Sequence, residues 1–504
     1  MRRRVRAVAA MALALSGLEA GWVSAAEYVV PTDFALIEEA VAAAAHGDTV
    51  TVLPGEHLIV DFLAWGSRDL VVRSLSGPAV TTIRGVNGGS GWDHVIISGW
   101  GITPTTVLQG FTFRNFDRSA IRIFGGSPSL SNLVFENCGT TGFVDSFGGA
   151  INCQAGSPVL AGVRFVENHT LSGGAFANSG GSPVFFGCSF ESNWAWYGGA
   201  VHLGGGSPSF IACDFIDNEV RTDYSWEDQS YVDAYGGAVY ITGNSTVAPT
   251  FSQCRFIHNQ ALDAVQHGTE AIGGACYTRG GCTPTFTGCT MVDNSADTRG
   301  GAVLATDEAQ PTFSSTIIAF TSEGGGLVVE GVTAGATLAC CDVYGNNGGD
   351  YVGMDDPTGQ EGNISANPLF CDPDAREYTL AAGSPCLPAG NDCGVQIGAY
   401  GEGCAWPTAV EDAPAQAGGG VALDCHPNPF NPTTVFSFEV PAPARVSLTV
   451  YDVTGRHVQS LVHTDLPAGQ HAVDFDGSGL GSGVYLAVLR IGERHAERKF
   501  TLVK

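Results

Sequence analysis

One arrangement limits what this chain can fold into more than any other. Ala120, Ala150, Ala175, Ala200, Ala238, Ala275 and Ala302 form a column, each followed by a residue suited to burial and all but the first preceded by Gly-Gly. Three more columns run behind it. The first holds Pro128, Pro158, Pro183, Pro208, Pro249, Pro284 and Pro311. The second holds Phe135, Phe165, Phe190, Phe215, Phe256, Met291 and Ile317, and the third Asn137, Asn168, Asn193, Asn218, Asn259 and Asn294. The step is 25 residues between Ala150, Ala175 and Ala200, with insertions elsewhere. A period of this length denotes stacked supersecondary units, each burying its apolar side against its neighbours.

Between these markers, runs of five or six residues alternate and favour Val, Ile, Phe and Thr, which is strand chemistry. Three short strands and three turns per repeat describe one coil of a parallel β-helix, its strands pairing about 4.8 Å above and below. The Phe column is then the stacked core. The Asn column is expected at a turn, tolerating a left-handed backbone and bonding to adjacent coils. Gly-Gly lets the chain bend tightly into the next strand. The segment "DFALIEEAVAAAA" has helical periodicity and suits a short helix capping the open start of the core.

Cys188, Cys213, Cys254 and Cys289 each precede the inward aromatic or Met by two residues and read as a buried stack of small hydrophobes. Beyond the repeats, Cys371, Cys386, Cys393 and Cys404 read as two disulfides near the far end, with the pairing open.

Composition narrows the partners. Glycine accounts for 69 of 504 residues, the net charge is −27, and Lys499 and Lys504 are the only lysines. Such a chain cannot coat a phosphate backbone, so nucleic acid is not an expected partner, and anionic membrane surfaces are disfavoured. The start, "MRRRVR", then "AVAAMALALSGL", then "VSAA", has the layout of an export signal over residues 1–26. No later stretch approaches the roughly 20 apolar residues of a membrane span, so none is expected in the mature chain.

From Trp406 to Asp424 the composition shifts to Ala, Gly and Pro, which reads as a linker. Residues 425–504 then alternate like a small antiparallel β-sandwich. Its segments "PNPFNPTT", "VYDVTGR", "LPAGQHAVDFDG", "SGVYLAVL" and "KFTLVK" resemble, in order, the type A carboxy-terminal sorting domain of type IX secretion cargo. That resemblance implies engagement of outer-membrane secretion machinery and a secreted or surface location. A FlgD-like immunoglobulin-type module without sorting activity is the other reading. The "F-x-x-N" and "GGA-[IV]" repeats are similar to those of chlamydial polymorphic outer-membrane proteins, within the pectin-lyase-like superfamily. This implies an all-β chain: a right-handed parallel β-helix with an N-terminal capping helix over residues 27–405, followed by an Ig-like sandwich.

Fold does not give function. Enzymes on such scaffolds cut polysaccharides, with paired carboxylates for hydrolysis or a cation and a base for elimination. Asn-Thr-Asp, paired Asp, Gly-His-Gly and Arg-Ile-Lys signatures do not occur in order here, and the repeat region has no lysine. The reading favoured is a non-catalytic adhesion or glycan-binding protein, with a polysaccharide lyase or glycoside hydrolase on acidic polysaccharide as the alternative.

The expected site lies where insertions interrupt the repeat. The outward column next to the inward apolar set reads Arg122, Asn152, Ala177, His202, Tyr240, Tyr277 and Leu304. On the same edge come "NWAWYGGAVH", "EVRTDYSWEDQSYVDAYGG" and "ALDAVQHGTEAIGG". Trp194, Trp196, His202, Tyr224, Trp226, Tyr240 and Tyr277 are the expected sugar contacts, as aromatic faces stack on sugar rings. Tyr197, Tyr231 and Tyr235 stand among them. Asp223, Asp228 and Asp233 could hold Ca²⁺. Glu227 and Asp228 would carry catalysis if the chain were an enzyme. The competing reading is that these aromatics only pin the inserted loops.

Overall fold

The computed structural model describes residues 25–59, 62–85, 94–97, 101–140, 147–225, 230–265, 268–404, 423–428, 430, 432–452, 457–480, 483–491 and 494–502. The export signal and the linker lie essentially outside these residues. The contacts divide the chain into two units, Met1–Trp406 and Pro407–Lys504.

In the first unit three parallel sheets wind together. Among the described residues, the first sheet has 12 strands, from Glu27–Val30 to Thr337–Ala339. The second has 11, from Gly55–Ile59 to Asp342–Tyr344, and the third 11, from Phe62–Ala64 to Tyr351–Val352. Each strand pairs with the equivalent strands of the coils before and after it, as in Phe135↔Phe165 and Phe190↔Phe215. This is the expected parallel β-helix.

The bore is filled by aromatic stacks. On the second sheet Phe165, Phe190, Phe215 and Phe256 lie face to face at 4.6–4.8 Å. On the first, Phe185, Phe210, Phe251, Phe286 and Phe313 do so at 4.4–5.0 Å. Parallel in-register pairing leaves identical rings one strand spacing apart, which is the distance at which they stack. Register corrects one assignment: Met291 pairs with Ile318, so Ile318 continues the inward column and Ile317 faces the other way.

The asparagines are a buried ladder. Asn168, Asn193, Asn218, Asn259 and Asn294 are fully buried. The side-chain oxygen of Asn218 accepts from the backbone N–H and the side-chain amide of Asn193, both at 3.0 Å, and the pattern recurs along the column. The same amides also donate to carbonyls such as Phe165 O and Phe190 O. The left-handed residues are their predecessors, Glu167, Ser192, Asp217, His258 and Asp293, with φ of 53–55°. Asn137 is therefore not in the ladder: it is an exposed left-handed residue itself, and Cys138 takes the ladder place, its N–H donating to Asn168 Oδ1.

The two glycines of each pair do different work. Gly173 is left-handed at φ 68°, whereas a Cβ on Gly174 would meet Gly199 O at 2.1 Å. Gly199, Gly237 and Gly274 repeat the second constraint at 2.1 Å. One position needs the backbone freedom and the other the missing side chain.

The capping helix is Ile37–Ala43, burying Ile37, Ala40 and Val41. Asp33 does not cap it; the Leu36 N–H donates to Glu39 instead. Its terminal carbonyls are met by Arg68, which donates to Val41 O and Ala44 O.

After the last coil the chain does not simply close the end. Residues around Phe370, Tyr378, Leu380 and Ile397 pack on the outer face of the second sheet, against Ile257, Val292, Ile317 and Ala319. Two disulfides staple this segment, Cys340–Cys393 and Cys371–Cys404. Cys386, expected in a disulfide, is a buried free thiol 3.0 Å from Asp342, and Cys340 takes its place. Cys188, Cys213, Cys254 and Cys289 are buried free thiols, as a small-hydrophobe role requires.

The second unit has a three-stranded antiparallel sheet, Leu423–His426, Thr433–Val440 and Gly469–Asp476. A four-stranded one is formed by Ala444–Asp452, His457–Leu466, Gly483–Ile491 and Arg494–Leu502. Strict alternation in Thr433–Val440 sends Phe436 and Phe438 into a core shared with Phe430, Phe475 and Phe500.

Candidate functional site

The insertions build a fourth sheet: Trp194–Ala195, Glu219–Arg221, Gln260–Leu262 and Ser295–Ala296, all parallel and in register. Period-2 alternation divides its faces. Val220, Ala261 and Ala296 are buried with Ala234 and Ala271, which belong to a two-stranded parallel pair, Ala234–Tyr235 with Ala271–Ile272. The alternate positions Trp194, Glu219 and Gln260 stand outside this small core and are partly exposed.

Hydrogen bonds fix the insertions. Thr222 and Thr269 donate to Asp263 at 2.9 and 2.6 Å. Asp233 accepts from the Tyr235 hydroxyl at 2.7 Å and from Glu270 N at 2.9 Å. Burial, and then the Asp233 carboxylate, push the Tyr235 phenol above its ordinary range.

Trp194 lies on His169, with centroids 5.3 Å apart and planes 3° from parallel. Both are half-buried, and burial lowers the His169 pKa. His169 was not among the expected contacts. Its signal was its place: it follows Asn168 as Trp194 follows Asn193. Trp196 is half-buried and tied by its backbone to Leu171 and Tyr235.

The outward column on the third sheet has the expected register, His202↔Tyr240↔Tyr277. Its rings form a continuous run, with His202 to Tyr240 at 5.0 Å and Tyr240 to Tyr277 at 5.5 Å. It is not an open stripe. Tyr240 and Tyr277 are 8% and 5% exposed, packed with Ile272, Tyr197 and Tyr235. Tyr235 and Ile272, both from the insertions, cover these two rings.

Asp223–Ser225 pairs with Ser230–Val232 as an antiparallel hairpin, opposing Tyr224 and Tyr231 in register. Asp223 and Tyr231 are exposed. Trp226, Glu227 and Asp228 lie outside the described residues. Among the described residues no group of three or more His, Cys, Asp or Glu side chains is placed to hold a metal ion.

The parallel β-helix with an added sheet defines a solenoid that displays a partly aromatic surface. Residues 424–503 match the family described as "Secretion system C-terminal sorting domain". The chain is thus a secreted or cell-surface protein whose tail engages secretion machinery. No helix among the described residues is long and apolar enough to cross a membrane. No curated protein matches the sequence. Among solved structures the chain is similar to a siphovirus 9NA tailspike receptor binding domain, at 11% identity. That match covers 94% of this chain and 98% of that one, with a TM-score of 0.22, too slight to carry a functional argument.

Proposed function

We propose that this secreted β-helix is a non-catalytic adhesion protein that binds glycans on its fourth sheet, within the pectin-lyase-like superfamily. The observation that carries the reading is the half-exposed Trp194 ring, stacked on His169 in the row that continues through Glu219 and Gln260. A pre-positioned aromatic face takes the apolar side of a sugar ring, and the polar row takes its hydroxyls. Pinning of the insertions means little ordering entropy is left to lose on binding. Trp196 extends the aromatic surface, and the hairpin that pairs Tyr224 with Tyr231 lies in the insertion between Glu219–Arg221 and Ala234–Tyr235.

A glycan array on the full chain, repeated with Trp194→Ala, tests this. Binding to at least one glycan, weakened about tenfold or more by the substitution, is the expected result. Absence of binding, or binding indifferent to Trp194→Ala, removes the reading. Release of reducing ends or unsaturated sugars from acidic polysaccharide, lost with Glu227→Gln or Asp228→Asn, would replace it with the enzymatic one.

A further inference from the structure

Upstream of the covered tyrosines, the outward column of the third sheet runs Arg122, Asn152, Ala177, His202 on four successive coils. Three of these residues have buried polar atoms without a partner: Arg122 Nε, Asn152 Oδ1 and His202 Nε2. Buried polar groups are almost always bonded, so three orphans in one column require an account. Asn152 is only 6% exposed. The His202 ring makes one hydrogen bond, between Nδ1 and Ser172 Oγ at 2.7 Å, and its Nε2 has none.

The charge at this place is unusual for the molecule. Arg84, Arg114, Arg164 and Arg255 on the second sheet, with Arg279 and Arg299 beside the third, each sit against a carboxylate. Arg122 has no carboxylate partner among the described residues, although acidic residues outnumber basic ones 50 to 23 in the chain. Its guanidinium lies over the Phe124 ring, 5.2 Å from the centroid. Phe147 lies 6.5 Å from the His202 ring at the other end. Both phenylalanines are 38% exposed, large apolar rings left at the surface. Between Asn152 and His202 the column carries only the methyl group of Ala177, which is 2% exposed. Four coils span about 14 Å at the usual strand spacing, the length of two to three sugar units.

We propose that this column is a binding site for an acidic sugar. Arg122 takes the carboxylate, Asn152 Oδ1 accepts a hydroxyl, His202 Nε2 exchanges a hydrogen bond with a second hydroxyl, and the two exposed phenylalanines flank the rings. Occupation requires the Phe147 side chain to turn outward and uncover the polar floor. A guanidinium with a free edge suits a carboxylate, and unpaired buried acceptors reward the ligand that satisfies them. The inference rests on the glycan-binding reading but uses a different surface from Trp194.

The test is calorimetry on the full chain with trisaccharides bearing glucuronate, galacturonate or N-acetylneuraminate, each beside its carboxyl-reduced counterpart. At least one acid should bind ten times or more tighter than its reduced form, with that preference abolished by Arg122→Gln. No binding by any acid, equal binding of acid and reduced forms, or a preference that survives Arg122→Gln overturns the proposal. Trp194-dependent binding of neutral glycans without any carboxylate preference would leave the adhesion reading standing and remove this one alone. In the native chain, the His202 ring nitrogen resonances should shift with the acid and stay fixed with the reduced sugar, a check that needs no variant.

Discussion

Arg376 grips Asp217 across 159 residues of chain, its two guanidinium nitrogens 2.8 and 3.1 Å from the carboxylate. The same carboxylate meets Nδ1 of His258 at 2.6 Å. Asp217 is a left-handed turn residue in the middle of the solenoid, and Arg376 belongs to the segment that returns after the last coil. The returning chain is thus a brace along the second sheet.

Burial pushes the Asp217 carboxyl up, but Arg376 and then His258 outweigh it and leave its pKa below the ordinary value. A lowered carboxylate pKa contributes stability that is present above the unfolded value and lost as pH falls through the folded one. Arg376→Ala should lower stability by about 1 kcal/mol at neutral pH, since both partners are partly exposed, and the deficit should shrink as acid protonates Asp217. Urea titrations at pH 7 and pH 3 measure both.

Asn218→Ala removes the oxygen that takes two donors of Asn193 and the amide that serves Phe190 O and Asn259. It orphans the buried Asn193 N–H and the Phe190 carbonyl, a loss of about 3 kcal/mol. Asn137→Ala, at an exposed turn outside the ladder, should cost about 1 kcal/mol. Equal melting shifts for the two variants would contradict the ladder.

For glycine, the comparison is Gly174→Ala with Gly162→Ala. The first drives a Cβ to 2.1 Å from Gly199 O, and the second has φ 59° but nothing within 4 Å. Backbone must move in one case, and only a left-handed alanine is carried in the other. The expected losses are more than about 3 kcal/mol against about 1 kcal/mol.

Asp342 is fully buried, accepting from Ala366 N and contacting the Cys386 thiol. Burial raises its pKa from 3.8 to about 7, with Asp350 adding to the rise and those two hydrogen bonds opposing it. A raised carboxyl pKa favours folding most below the unfolded value, and that contribution is lost as pH climbs through 7. Asp342→Asn should flatten this slope between pH 4 and 7.5 in paired thermal melts. Peptide mapping of the native chain should find Cys340–Cys393 and Cys371–Cys404 bridged, with Cys386 alkylated only after unfolding.

The coil pattern was legible because three-residue strands in register repeat their chemistry one above another, so Phe165, Phe190 and Phe215 announce a stack. What escaped was contact between coils and returning chain. Cys340 lies within the repeats, and nothing local separates it from its buried neighbour Cys341 as the partner of Cys393. Arg376 and Asp217 meet only because the tail runs back over the second sheet. At the site, His202, Tyr240 and Tyr277 were placed in one column by spacing alone. Their cover was hidden, because Tyr235 and Ile272 reach them through a pairing of two insertions, Ala234–Tyr235 with Ala271–Ile272, that no short motif records.

The asparagine column also bears on how such a chain changes length. Each coil offers the next an amide and takes from it an oxygen, and every interior coil presents nearly identical upper and lower sides. A tandem duplication of one whole turn therefore inserts without a seam, whereas loss of a few residues inside a strand would strand two buried amides at once. Growth and shortening of the bore are confined to whole turns, and other changes of length to the insertions within a turn.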